Sequence, residues 1–347
     1  MPQRVLIYGC YGYTGELIVE EAQMMELPVL LAGRNAEKVK AVADRHGLPW
    51  AACDLDDAAG LDALLAQVDV VLHCAGPYVH TYAPMVAACL RNGKHYLDIT
   101  GEIAVFEAIA AQTAAAKAAK VMLMPGVGFD VVPTDCLAAR LKRQLPAAQE
   151  LHIAILNVGA RMSHGTAKTM VENLGSPNLV RRAGKIVERP MAQESIQADF
   201  GRGGKTAYAL PWGDVSTAYY TTGIPNITTY FALPKGQARF LRFSRYIGWL
   251  LRMGWVKRMA RKRIEKQPAG PSSEQRMHST TLLWGQARDA QGKAVIATQE
   301  TPNGYTFTAE AAVHIAQRVL AGDWKAGFQT PAGCYGPQLL EAILHED

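Results

Sequence analysis

Two groups of residues in this chain have types and spacings suited to chemistry. In RVLIYGCYGYTG, at positions 4–15, Gly9, Gly12 and Gly15 recur every third residue directly behind an apolar run. Three side chains are thereby removed from one stretch of backbone, so its N–H groups can close on an anionic group such as a pyrophosphate. The second group comes from three later segments: Tyr78 and His80 in CAGPYVHTY, Asp98 and Glu102 in YLDITGE, and Asp130 and Asp135 in PGVGFDVVPTD. Their hydroxyl, imidazole and carboxyl groups can give or take a proton, provided the fold brings them together.

The elements that would do so are legible as a repeating pattern. Short apolar runs (VLIY, PVLLAG, PWAACD, DVVLHCAG, HYLDIT, VMLMPG) alternate with segments of helical periodicity for about 140 residues, with no hairpin signal among them. That alternation predicts a doubly wound parallel sheet with helices on both faces. In such a sheet ligands bind beyond the carboxyl ends of the strands. There Gly9 permits the tight turn out of the first strand, Gly12 admits the phosphates, and Gly15 lets the helix pack closely. Tyr13 and Thr14 complete the loop at the helix N-terminus.

The end of the second strand reads LLAGRN. A site for NAD tends to carry an acid there for the ribose 2′-OH. Arg34 stands in its place, with Asn35 and Lys38 nearby, so the expected cofactor is NADP with Arg34 on the 2′-phosphate. Asp54, after the third strand, either hydrogen-bonds the adenine or caps the helix beginning near Asp57. Ala75, Gly76 and Pro77 shape a loop passing the cofactor. Tyr78, Asp98 and Asp130 are the candidate proton donors. For each a structural role competes: Tyr78 as a packing wall, Asp98 as the cap of a turn, Asp130 as a partner of loop amides. His164, Thr166 and Lys168 form a further polar group that reads equally well as a plain helix start.

From residue 146 the pattern changes to longer alternating strands, with a hairpin turning at Ala290–Gly292 and helices after it. The expected organisation is a Rossmann domain over 1–145 and an α+β domain with a mixed sheet over 146–304, followed by helices from about 305 to 347.

Composition narrows the class. No apolar run approaches the roughly 18–20 residues of a membrane span, and the opening residues carry no signal-peptide pattern, so a soluble, cytoplasmic protein is expected. The six cysteines are scattered without C-x-x-C, and the nine histidines lack H-E-x-x-H spacing, so neither a disulfide framework nor a metal site is expected. The net charge of +5 is uneven: residues 235–266 hold eleven Lys or Arg against Glu265 alone, which is +10 and leaves −5 elsewhere. Nucleic acid is not indicated. Residues 236–265 are expected to form helices whose Phe240, Leu241, Ile247, Leu250, Leu251 and Trp255 cover a sheet face or a second subunit in a homodimer, with only a weak peripheral attraction to membranes.

YGCYGYTGELIVEEA, LAGRN, VDVVLHCAGPY, ACLRNGKHYLDITGE, MPGVGFDVVPTD and GPSSEQR occur in this order. Together they resemble the saccharopine dehydrogenase-like oxidoreductases, a group that includes the trans-acting enoyl reductases. The resemblance is specific over residues 4–135 and thin beyond. It implies an NADP-dependent hydride transfer to a C=N, C=O or C=C group of a small or lipid-like metabolite, an α+β domain after the Rossmann domain, and a return of the helices from about 305 to 347 to the first domain. The loop departs from the family pattern at Cys10 and Tyr11, where small residues are usual. Tyr11 is expected to alter the pyrophosphate end of the site. A protein that binds NADP(H) without catalysis is the competing reading.

Overall fold

The computed structural model describes residues 4–159, 162–173 and 175–345. The chain divides into two compact units, one of residues 1–132, 305–335 and 341–347, the other of 133–304 and 336–340. In chain order the strands are β1 (Val5–Tyr8), β2 (Val29–Gly33), β3 (Trp50–Ala52), β4 (Val70–His73), β5 (His95–Asp98), β6 (Met122–Met124), β7 (Glu150–Val158), β8 (Asn178–Arg182), β9 (Lys185–Arg189), β10 (Ser195–Asp199), β11 (Gly204–Ala209), β12 (Asn226–Ala232), β13 (Thr280–Arg288), β14 (Ala294–Pro302) and β15 (Gly327–Phe328). The helices are α1 (Tyr13–Met24), α2 (Ala36–His46), α3 (Ala58–Leu65), α4 (Tyr78–Asn92), α5 (Ile103–Ala110), α6 (Thr113–Ala118), α7 (Val132–Gln144), α8 (His164–Glu172), α9 (Asp214–Thr222), α10 (Lys235–Leu251), α11 (Gly254–Ile264), α12 (Ser273–Met277), α13 (Gly304–Leu320), α14 (Pro331–Tyr335) and α15 (Leu339–Leu344).

The first unit is built on a seven-stranded sheet in the order β15-β6-β5-β4-β1-β2-β3, and every pairing in it is parallel. Strands β1, β4 and β6 are buried along their whole length, as expected for strands covered on both faces and read as continuous apolar runs. The order reverses between β1 and β4. That is the switch point at which loops leave in opposite directions and a crevice opens. The alternation in sequence therefore gives the doubly wound sheet it predicts.

The second unit carries an eight-stranded mixed sheet, with the path β10-β11-β12-β7-β13-β14 and β8 paired to β12 and β9. Among the described residues, only β12 and β7 run parallel in it. The hairpin of β13 and β14 turns over Asp289–Lys293, around the expected residues.

Three details differ from the expectations. The stretch AVFEAIAAQTAAAKAA, whose apolar periodicity predicts one long amphipathic helix, forms two helices, α5 and α6, separated at Ala111 and Gln112. Strand β15 adds a seventh strand, too short to announce itself by periodicity. Helix α7, assigned to the first domain by the 1–145 boundary, groups with the second unit. Its Leu137 and Leu141 join a core with Ile153, Ile227 and Leu283, and a Cβ on Gly285 would come within 2.7 Å of Leu141. Apolar partners that β7 and β13 supply, far along the chain, decided that assignment.

Candidate active site

The glycine loop lies at the carboxyl end of β1. The Gly9 amide donates to Ala32 O at 2.8 Å, and the Gly12 amide donates back to Gly9 O at 3.0 Å, closing the turn. Gly9 has φ +91°, and a Cβ there would meet Ala75 at 2.9 Å, so the turn needs glycine both for its backbone angle and for the passage of the β4 loop. A Cβ on Gly15 would lie 2.4 Å from Gly9 O. Gly12 is the N-cap of α1 and provides no side-chain cap. By helix geometry the first-turn amides at Tyr13, Thr14 and Gly15 point out of the helix end, where they favour an anion. This cradle fits a pyrophosphate.

At the end of β2, Arg34 is exposed immediately before α2. Asn35 is the N-cap of that helix, its Oδ1 accepting from Lys38 N at 3.0 Å, which leaves its Nδ2 hydrogens as the donors for a phosphate. Tyr11 lies elsewhere than expected. Its ring packs on Gly33, where a Cβ would approach Tyr11 Cε1 to 2.6 Å, and Lys38 Nζ stands 5.9 Å from its centroid. Tyr11 thus belongs to the β2 side of the loop together with Arg34 and Lys38, a placement that an i-to-i+22 separation gave no means of reading. Asp54 is exposed after β3 and accepts from Asp56 N at 3.1 Å. The cap of α3 is Asp57, so the capping alternative for Asp54 is set aside.

The loop after β4 is held by groups that the sequence did not single out. Thr81 Oγ1 donates to Ala75 O at 2.7 Å, and His73 Nε2 lies 3.1 Å from the same hydroxyl. With the threonine proton used, His73 serves Thr81 as an Nε2–H donor. Burial drives the pKa of His73 down to about 3, so it is neutral. Gly76 and Pro77 follow, and Tyr78 opens α4 with its ring edge-on to His73 at 5.6 Å between centroids. Tyr78 is only 8% exposed, and burial raises its pKa well above the ordinary tyrosine value. Glu102 accepts from Tyr78 N at 2.8 Å and from Val79 N at 3.0 Å. It therefore caps α4 across a chain separation of more than twenty residues, and it ties the β5 loop to the β4 loop. His80 is exposed in the first turn of α4.

Asp98 is fully buried. Its Oδ2 accepts from Tyr96 OH at 2.7 Å, and its Oδ1 accepts from Thr100 N and Gly126 N, each at 2.9 Å. It brackets the ends of β5 and β6, which is the turn-holding alternative in an enlarged form. Burial, partly offset by these donors, places its pKa at about 6. Asp98→Ala would leave one hydroxyl and two amides buried without an acceptor. The expected loss of stability in urea unfolding is about 3 kcal/mol.

Asp130 differs from both. It is half-buried, and its carboxyl lies over Gly101, where a Cβ would come within 2.5 Å of Oδ2. Among the described residues no hydrogen bond reaches this carboxyl, so the loop-amide role does not apply. Burial pushes its pKa up to about 7. The loop that carries it is fixed from behind by α13: Phe129 N donates to Thr308 Oγ1 at 3.0 Å, and Phe129 stacks edge-on with Phe307. Thr308 is another residue the sequence reading missed, for it lies 179 positions away. Asp135 is fully buried in the first turn of α7. His164, of the second polar group, donates its backbone N–H to Ala269 O and pairs Nε2 with Gln267 O at 2.8 Å, and Ser163 caps α8. That is the helix-start reading.

A glycine cradle at the switch point of a 3-2-1-4-5-6 sheet defines a dinucleotide-binding protein. Residues 5–124 match the family model described as the saccharopine dehydrogenase NADP binding domain, so the first unit contains an NADP-binding domain of that type. The mouse (Mus musculus) saccharopine dehydrogenase-like oxidoreductase is 29% identical over 206 residues, 52% of this chain and 48% of that protein. The trans-acting enoyl reductase of Mycobacterium leprae is 32% identical over 151 residues, 41% of this chain and 36% of that protein. The chain spans about half the length, or less, of these curated relatives. Among solved structures, apo saccharopine dehydrogenase (L-Glu forming) from Saccharomyces cerevisiae superposes with a TM-score of 0.65 at 14% identity, covering 99% of this chain and 96% of that one. Homospermidine synthase from Legionella pneumophila gives 0.60 at 12%, covering 99% and 89%. The resemblance read from the motifs is thus borne out in sequence and in fold.

Proposed function

We propose that this chain is an NADPH-dependent oxidoreductase in which Asp130 supplies or removes the proton that accompanies hydride transfer to a C=N, C=O or C=C group. The observation that carries the reading is the state of Asp130. It is the one candidate donor with a carboxyl open to a ligand and a pKa near neutrality, where a general acid is most effective. Tyr78 is too weak an acid in its buried place, and Asp98 is committed to three donors. Bound NADPH would supply the hydride. The chain's own residues do the rest. The Gly9–Gly15 turn would hold the pyrophosphate, Arg34 with Lys38 would neutralise the 2′-phosphate, and Asp54 would accept from the adenine amino group. Ala75, Gly76 and Pro77 would line the passage of the ring, and protonated Asp130 would give its proton to the atom of the acceptor that does not receive the hydride. Similarity to a trans-acting enoyl reductase supports keeping C=C among the acceptors and a lipid-like chain among the substrates.

The test is NADPH oxidation, followed by absorbance, with an imine, a ketone and an enoyl thioester series and with fractionated metabolite extract. Asp130→Asn serves as the comparison. Tight NADPH binding with no oxidation by any fraction would favour the non-catalytic reading.

Selectivity is tested separately. Arg34→Ala is expected to weaken NADPH about tenfold to a hundredfold, on the order of 1.5–3 kcal/mol for a charge-assisted contact. NADH affinity should stay the same. Equal losses for the two cofactors in a fluorescence titration would remove Arg34 from the 2′-phosphate.

A further inference from the structure

Helices α10 and α11 of the second unit present their aromatic residues outward. Phe240, expected from the sequence to cover a sheet face or a partner subunit, is 57% exposed, and Trp255 is 50% exposed. They are joined by Phe243, Tyr246, Trp249, Met253 and Met259, all at least 41% exposed. Along α10 the stripe advances by three residues at each step from Phe240 to Trp249, which keeps neighbours adjacent on the helix surface, and Met253 caps the start of α11. Phe243 and Tyr246 lie 5.9 Å apart between centroids. The inward side is different: Ala238 and Gly248 are buried, and Leu241, Ile247 and Leu251 partly so.

Helix α11 shows the pattern more sharply. Trp255, Arg258, Met259, Lys262, Arg263 and Lys266 are exposed, at spacings of three, one, three, one and three residues. Of these, Trp255 to Arg263 share one face of the helix, and Lys266 follows in the turn beyond its end. Val256, Lys257, Ala260, Arg261 and Ile264 are all partly buried on the other face. Lys257 and Arg261 both engage Glu172 of α8. The cations needed to hold α11 in place are therefore on its inner side. Those on its outer side alternate with Trp255 and Met259.

We propose that this outer face of α10 and α11 seats the second unit on an anionic lipid surface. A face combining large apolar side chains with unpaired cations suits the boundary between headgroups and acyl chains, with aromatic rings entering and Arg and Lys at phosphate level. No described helix is long and apolar enough to cross a membrane, so the helices lie in the plane of the surface. A second copy of the chain is disfavoured as the occupant. Two-fold pairing through this face would set one +10 segment against another. An anionic bilayer complements the charge instead, at roughly fivefold in partitioning for each Lys or Arg near the surface. The proposal is independent of the chemistry assigned to Asp130.

The experiment is flotation of the full chain with vesicles of phosphatidylcholine alone and of phosphatidylcholine with phosphatidylglycerol, at low and at physiological salt. The expected result is binding to the phosphatidylglycerol vesicles, weakened by salt, little binding to phosphatidylcholine, and a blue shift of tryptophan emission. Phe243→Ser with Trp249→Ser should cut binding at least tenfold at both salt levels. Arg258→Ser with Lys262→Ser should remove most of the preference for phosphatidylglycerol. All four residues are exposed, so unchanged melting temperatures are expected and show that the fold is retained. Three results would overturn the proposal: no flotation with phosphatidylglycerol vesicles, flotation insensitive to both variants, or a dimer in light scattering that the aromatic variant breaks and that vesicles fail to compete away.

Discussion

Asp130→Asn is expected to lower turnover about a hundredfold to ten-thousandfold, the usual range for loss of a general acid, while NADPH affinity changes by less than about twofold. A second effect needs no substrate. The folded protein holds the Asp130 proton up to a pKa of about 7, well above the ordinary value of 3.8. Between these values the native state binds more protons than the unfolded chain, so stability falls as pH rises from about 4 to about 7 and then levels off. Asparagine cannot ionise and escapes that loss. The variant should therefore match the wild type near pH 4 and exceed it at pH 8 by on the order of 2 kcal/mol, the full displacement at ~1.4 kcal/mol per unit being an upper bound. Urea unfolding across this window reads the difference. Parallel pH profiles would show that the carboxyl is solvated, and undiminished turnover would assign the proton to another group.

Gly12→Val is expected to abolish NADPH binding in a protein that remains folded. The choice of glycine matters. Gly9 at φ +91° and Gly15 with Gly9 O in the place of its Cβ cannot be replaced without disturbing the turn itself. Gly12 has φ −76° and ψ 156°, a conformation open to any residue. A Cβ there meets only Gly9 O, at 3.3 Å. The added side chain stands at the N-terminus of α1, in the space the phosphates need. In a thermal shift assay NADPH at a hundred times its dissociation constant should stabilise the wild type by about 2.7 kcal/mol and the variant not at all. The unliganded melting temperatures should agree within a few degrees. A variant that is stabilised as strongly as the wild type would detach the glycine turn from the cofactor.

The glycine turn shows why so much of the first unit was readable. Strand, turn and helix follow one another within twenty residues, and their hydrogen bonds are local: Gly12 to Gly9, Glu16 to Gly12. Burial on both faces writes parallel strands as continuous apolar runs, and each crossover helix writes its own periodicity. The absence of an acid after β2, with Arg34 in its place, is likewise a local fact. The second unit was less legible. Its helix α9 was not foreseen, and the six apolar residues of 236–265 expected to cover a sheet face or a second subunit divide, with Leu241, Ile247, Leu250 and Leu251 partly buried and Phe240 and Trp255 exposed. An amphipathic helix with residues of both kinds all round has no single period that says which face is covered.

The sequence by itself therefore determined the doubly wound sheet, its phosphate-binding turn and the inventory of groups at its rim. It could not sort that inventory. Tyr78, Asp98, Glu102 and Asp130 can each carry a proton, and all four lie between the last residue of a strand and the first residue of the helix that follows. Tertiary contacts separated them. Three donors from two strand ends occupied Asp98, the amides of α4 occupied Glu102, and a histidine wall enclosed Tyr78. Helix α13, nearly 180 residues on, pinned the loop of Asp130 while leaving its carboxyl unbonded. A proton donor is defined by what does not contact it, and that depends on partners distant in the chain, which spacing and periodicity do not record.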